Sequence, residues 1–208
     1  MNIIELIDEN GQSEFVQHID GLSVIFQGSD NHITVAKGTK FRNCNFLLGG
    51  KNTFSFGYSR YTINNIKLWA NNYTRFIVGR NFSCLGLDVR LQENYTGIEI
   101  GNECMFSFDI CFYPTDGHAI ISNDSGKCIN ALAKTIKIGD HCWCGRRVTF
   151  LKSSDIPSNT IIGFGSVVTK PFLDQYTIIA GYPAKVISTG KSWSREDPWT
   201  YQHLHKGL

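Results

Sequence analysis

Residues 138–170 read IGDHCWCGRRVTFLKSSDIPSNTIIGFGSVVTK, and an apolar residue returns at every sixth position: Ile138, Cys144, Phe150, Ile156, Ile162 and Val168. Neither the 3.6-residue period of a helix nor the two-residue alternation of a strand produces a six-residue beat. Upstream, Ile100, Phe106 and Phe112 keep the same step, as do Val78 and Cys84, and the pattern starts with Val35, Phe41 and Leu47. Four positions after each marker stands a small or branched residue: Cys104, Ile110, Cys142, Val148, Ser154, Thr160 and Ser166. Glycine often follows the marker, which suits a tight corner. Each hexad is thus a short strand and a corner. Three hexads close a triangular coil, and stacked coils share a core that none buries alone. The expected fold is all-β, a triangular solenoid.

The same arithmetic exposes an interruption. After Phe112 the next marker is due at 118 but arrives at Ile138, twenty residues late. The excursion, YPTDGHAIISNDSGKCINALAKT over 113–135, is rich in Asp, Asn, Ser and Gly and displays His118. A smaller excess of four residues separates Val78 from Ile100 and is expected within QENYTG at 92–97. Before residue 78 the beat is weak, so early irregular coils are expected. Residues 1–30 are read as an N-terminal cap, 31–187 as the β-helix domain and 188–208 as a C-terminal tail. Ser194 followed by Asp197 resembles a capping box, pointing to a short helix in that tail.

Composition bounds the function. The 208 residues carry 20 basic and 18 acidic side chains, a formal charge of +2, which argues against a protein built mainly to hold nucleic acid. No apolar run is long enough for a membrane span, and the N-terminus carries acids where a secretory leader carries lysine or arginine, so a cytoplasmic location is expected. The seven cysteines include no CxxC pair, so neither disulfides nor a metal is expected. The Cys142-Trp143-Cys144 triplet is read with its thiols on opposite sides of the strand, and Trp143 outward, one residue after an inward Cys142.

IEIGNECMFS, the TDGH loop, IKIGDHCWCG, IIGFGSVVTK and IIAGYPAKVI occur in that order over residues 98–187. As an ordered set they resemble the hexapeptide-repeat acetyltransferases that include the galactoside and maltose enzymes. The histidine loop and the trailing SWSRED are closer to the branch that O-acetylates capsular and sialic-acid polysaccharides. The resemblance implies a left-handed parallel β-helix, acetyl-CoA as co-substrate, a carbohydrate acceptor, and a homotrimer with sites between subunits.

It also implies roles. His118 stands where the family has its general base. A sugar hydroxyl must lose its proton as it attacks a thioester, and an imidazole suits that task, contributing typically 10² to 10⁴ in rate. The bland alternative is a solvated loop histidine. Trp143 matches the tryptophan that walls the site near the acetyl group. The amide of Gly145 or Arg146 would meet the oxyanion of the tetrahedral intermediate, although a small residue is usual where Arg146 stands. Backbone at Gly163, Phe164 and Ala180 would hold the coenzyme, with Lys170 and Lys185 near its phosphates. Phe164 replaces the family's usual alanine. Asp88, Arg75 and Arg90 are candidate acceptor contacts, Asp116 a candidate partner of His118, and Arg195 a candidate for the nucleotide end; solvated side chains or tail ion pairs explain these equally well.

Three rivals stay open. A zinc carbonic anhydrase on the same solenoid needs three convergent histidines, and only His118 and His141 fall in the regular part. A non-catalytic scaffold has no use for the His118 loop and Trp143 together. N-acetylation of an amino sugar nucleotide is not separable from O-acetylation by sequence.

Overall fold

The structure, a computed structural model, describes residues 1–130 and 135–205. Its strands stack into three sheets of eight, eight and seven strands that enclose one core, a triangular parallel β-helix. The chain visits them in a fixed order. Ile136–Ile138 lies on what we call the first face, Trp143–Cys144 on the second and Thr149–Leu151 on the third. Both ends close with a hairpin: Ser13–Phe15 pairs antiparallel with Ile3–Ile7, and Ala184–Thr189 with Thr177–Gly181. Such closures blunt the sheet edges that would otherwise template further pairing. Ile3–Ile7 is itself in parallel register with His32–Ala36, so the N-terminal residues begin the first face.

The hexad markers from Ile100 onward are all buried, and so are Cys104, Ile110, Cys142, Val148, Ser154, Thr160 and Ser166, four positions after their markers. Phe106, Phe112 and Phe150 stack along the axis, the last two with ring centroids 4.8 Å apart. Leu47 is a correction. It is half-exposed, and Phe46 and Leu48 on either side fill the core, because side chains alternate along the five-residue strand Cys44–Leu48. The thiols of Cys142 and Cys144 are also corrected: residues two apart share one side of a strand, and both are fully buried with Trp143 outward between them.

The early coils are regular after all, with a longer period. Val35 pairs with Phe56, Phe56 with Val78 and Val78 with Ile100, steps of 21 and 22 residues, whereas Ile138 to Ile156 and Phe150 to Val168 are steps of 18. The extra residues fall between the third face and the first, at 49–52, 71–74 and 92–96. Buried polar groups tie that corner together internally: Asn52 Nδ2 donates to Asn31 Oδ1 (2.9 Å) and to the Asn71 carbonyl (2.8 Å), and Thr74 Oγ1 donates to Asn52 Oδ1 (2.8 Å). A six-step search loses its phase in such coils. The long excursion leaves from this same corner, between Ile110–Tyr113 and Ile136–Ile138. Its residues 131–134 lie outside the described set.

Corner chemistry also departs from expectation. At the second-to-third corner left-handed backbone falls on Asn43, Asn65, Asp109, Arg147 and Gly165, the Leu85–Gly86 corner being without it, and it recurs at the other corners, as at Asn81, Glu103, His141 and Asn159; Asn, Asp and Gly accept it most cheaply. The glycines after the markers serve instead to let coils approach. A Cβ on Gly145 would lie 2.8 Å from the Phe164 amide nitrogen, and one on Gly163 would lie 2.8 Å from the Ala180 Cβ. The C-terminal helix is Pro198–Leu204, capped by Asp197, which accepts from the Thr200 amide (3.0 Å). Ser194 is not its cap, because Pro198 at the first turn starts the helix later; Ser194 Oγ donates to Glu196 instead (2.6 Å).

Candidate active site

His118 sits on the excursion, exposed, and among the described residues its imidazole makes no hydrogen bond. What is fixed is the loop beneath it. Asn130 Nδ2 donates to the His118 carbonyl (2.8 Å) and to Asp116 (2.9 Å), and Lys152, one coil on at the same corner, forms an ion pair with Asp116. Thr115 Oγ1 donates to Glu93 from the coil before, and accepts from the Gly117 amide (2.9 Å). The loop base is thus latched to the coils on both sides, around a hollow of about 190 Å³. Lys152 and then Asn130 hold the Asp116 carboxyl below its ordinary range. Asp116 therefore fastens the loop and leaves the imidazole unoriented.

Trp143 lies on the second face, which is opposite the corner that carries His118. It is 40% exposed and divides that face. Toward the N-terminal coils a trough of about 470 Å³ runs past Met105, Ser83 and Asn64 to Arg42. Toward the C-terminal coils a second hollow, about 460 Å³, is bounded by Ile161 and the tail residues Trp193, Glu196 and Tyr201. The tail packs across this face. The Trp193 ring stacks on His141 at 4.6 Å, lies 6.1 Å from Trp143, and donates its indole N–H to the His141 carbonyl (2.9 Å).

Arg195 serves that docking. Its guanidinium donates to Ser83 Oγ (2.8 Å) and to the carbonyls of Asn81 (3.0 Å) and Cys104 (3.1 Å), with its charge 4.1 Å from the Tyr61 ring centre. Burial pulls the Arg195 pKa below its ordinary value, against the opposing influence of Tyr61 and Glu103. These bonds occupy the donors that a nucleotide phosphate would need.

The residues expected to hold the coenzyme divide into two groups. Gly145, Arg146, Gly163 and Phe164 line the second-to-third corner in successive coils, and Ala180 and its cross-strand partner Lys185 continue that column. Lys170 is elsewhere: its neighbour Val168 pairs with Phe150, so it stands one coil beyond Lys152, on the His118 corner. The Gly145 amide donates to the Ile162 carbonyl (2.8 Å), which leaves the Arg146 amide as the candidate oxyanion donor. Arg146 is paired with Asp109 (2.9 Å) and lies over Phe108, so its side chain is held off the corner. Arg90 is paired with Asp88 on the third face (2.5 Å), a bond that pushes the Arg90 pKa up, and Arg75 is paired with Glu99 on the first. Those three are not gathered on the Trp143 face.

Glu93, Asn130 and Lys152 were missed by the sequence reading. Lys152 had a legible signal, since the hexad count places it at the corner from which the excursion leaves. Glu93 and Asn130 had none. Among the described residues no cluster of three metal-ligating side chains occurs, and no helix is long and apolar enough to cross a membrane.

No family model matches the chain. It is 32% identical to a polysialic acid O-acetyltransferase of Neisseria meningitidis over 193 residues, covering 82% of this chain and 88% of that protein. It is 29% identical to the galactoside O-acetyltransferase of Escherichia coli over 110 residues, spanning about half (52%) of that relative's length. Among solved structures, that of the polySia-specific acetyltransferase NeuO superposes with a TM-score of 0.72 at 25% identity, covering 94% of this chain and 90% of that one.

Proposed function

The chain belongs to the hexapeptide-repeat O-acetyltransferases, in the branch that includes polysialic acid O-acetyltransferase, and on that premise we propose that it moves an acetyl group from acetyl-CoA to a hydroxyl of a sialic acid polymer. The observation that carries this reading is the latched loop, which lifts off the solenoid one imidazole that has no hydrogen-bond partner among the described residues. His118 takes the proton from the acceptor hydroxyl as its oxygen attacks the thioester carbonyl. The proton leaves with the coenzyme thiolate as the C–S bond breaks, so the imidazole is restored each turn.

The second-to-third corner suits a long, thin donor. Successive coils approach there without side chains at Gly145 and Gly163, leaving backbone edge beside Trp143 and running to Ala180 and Lys185. Acetyl-CoA would lie along that column with its acyl end at Trp143, where the Arg146 amide faces the developing oxyanion. His118 and Trp143 are on opposite sides of one triangular prism, so the reacting groups meet when a neighbouring copy supplies one of them. A cyclic trimer provides that pairing three times over. Lys170, on the His118 corner, then approaches the coenzyme from the neighbour. The seven unpaired cysteines fit the reducing cytoplasm, where acetyl-CoA is available.

Labelled acetyl-CoA, incubated with the protein and a panel of sialylated polymers, neutral glycans and amino sugar nucleotides, tests this. Label should appear as an ester on the sialylated polymers. Transfer to neutral glycans alone, or amide formation on nucleotide-linked amines, overturns the reading.

A further inference from the structure

The arginines of this protein fall into two electrical classes. Arg75, Arg90, Arg146 and Arg147 are each set against a carboxylate, of Glu99, Asp88 or Asp109. Arg42, Arg60, Arg80 and Arg195 form no ion pair among the described residues; Arg42 lines the trough on the second face, Arg60 and Arg195 sit against its lining residue Tyr61, and Arg80 lies away from it, near Tyr58. Arg42 projects outward from Lys40–Arg42 at the trough's far end. Arg60 and Arg195 flank the Tyr61 ring at 5.0 and 4.1 Å. The partners of Arg195 are neutral carbonyls and a hydroxyl, which orient its charge without cancelling it. No Asp or Glu lines the trough; between its ends run Thr62, Asn64, Ser83 and Ser107. The Asn64 amide donates to the carbonyls of Thr62 (2.8 Å) and Cys84 (3.0 Å), which leaves its oxygen outward as an acceptor for hydroxyls.

We propose that this trough is an extended acceptor subsite for an anionic glycan, in which Arg42 holds the carboxylate of a sugar residue remote from the one being acetylated. The inference rests on the acetyltransferase reading and adds to it a reason for preferring a polymer. Arg42 and Trp143 stand on strands four steps apart in the sheet, and at the usual strand spacing that is about 19 Å. One sugar ring does not bridge that distance; a chain does. A guanidinium is suited to the task because its planar donor fork matches a carboxylate and keeps its charge at any physiological pH. Small hydroxylated side chains between the two ends leave room for rings and offer partners to their hydroxyls, while the absence of carboxylates avoids repulsion along the path.

The test compares wild type with Arg42→Gln, and with Thr62→Glu, which places a carboxylate in the trough. Each is assayed on long polysialic acid and on the shortest sialyl oligomer accepted, with thermal melting to confirm the fold. Polymer binding is measured separately, without donor, by intrinsic tryptophan fluorescence. We expect the polymer's advantage in kcat/KM over the short acceptor to fall about tenfold in both variants, through KM, the size of one charge-assisted contact. Polymer binding should weaken by a similar factor and become less salt-sensitive in Arg42→Gln. Equal preference and equal binding in wild type and Arg42→Gln overturn the subsite. Arg42-dependent binding without any transfer in wild type instead overturns the acetyltransferase reading and leaves the subsite standing.

Discussion

The corner that bears His118 and the face that bears Trp143 solve different problems. The corner is polar. Its loop is held by an ion pair between Asp116 and Lys152, by Asn130, and by the Thr115–Glu93 bond, so each neighbouring coil contributes one fastening. The face is aromatic and cationic, with Trp143, Trp193 and Tyr61 packed around a folded-back tail, and its arginines left without carboxylates. In the proposed function the corner supplies the proton acceptor and the face the surfaces for the two substrates. Because the two lie on opposite sides of the prism, the proposed site needs one half from each of two chains.

The sharpest way to break this division is His118→Ala. Acetyl transfer should fall by about 10² to 10⁴, the usual contribution of a general base, while calorimetric binding of coenzyme A stays unchanged. Wild-type turnover in that variant would remove the corner from the chemistry. Next comes a mixing experiment. His118→Ala and Trp143→Ala chains, each inactive alone, are unfolded together and refolded as mixed oligomers. If sites are shared between neighbours, about a quarter of the wild-type sites return. No recovery, in oligomers shown by mass to be mixed, would mean that each chain works alone.

Arg195→Ala probes the face. It removes the donors that tie the tail to Ser83, Asn81 and Cys104, so limited proteolysis should cut between residues 190 and 205 several-fold faster, with KM rising more than kcat falls. An unchanged cleavage rate would show that Trp193 alone docks the tail. The smallest effect belongs to the latch. The Asp116 carboxyl is held below its ordinary value near 3.8, so its contribution is present above that pH and is lost only as pH falls through the depressed value. Lys152→Met should bring loop loosening to higher pH, read as faster hydrogen exchange over residues 114–130. Identical exchange profiles would make the ion pair incidental.

Much of the fold was legible because a solenoid repeats its demands. From Ile138 to Val168 every coil needs the same inward apolar position, and six-step spacing states this directly. Legibility failed from residue 32 to 96, where the coils run to 21 or 22 residues. There the corner ladder of Asn31, Asn52 and Thr74 satisfies buried polar groups between coils, a contact between residues about twenty apart in sequence that no local pattern reports. His118 and Trp143 stood out because each breaks the repeat's own rules, one by leaving the coil and one by placing a large aromatic outside it. Which of the three corners Lys170 occupies was not legible, because sequence order does not say it; only the register to Lys152 does.

By itself the sequence determined the coil, its core and the single excursion, since inward positions are set by alternation and by the volume that three faces enclose. The tertiary structure decided the rest. It assigned Asp116 to the latch and Arg195 to the tail, and it left Arg42 without a carboxylate at the end of the trough. Charge pairing depends on which side chains meet across coils and across the returning tail, and those meetings exist only once the prism has closed.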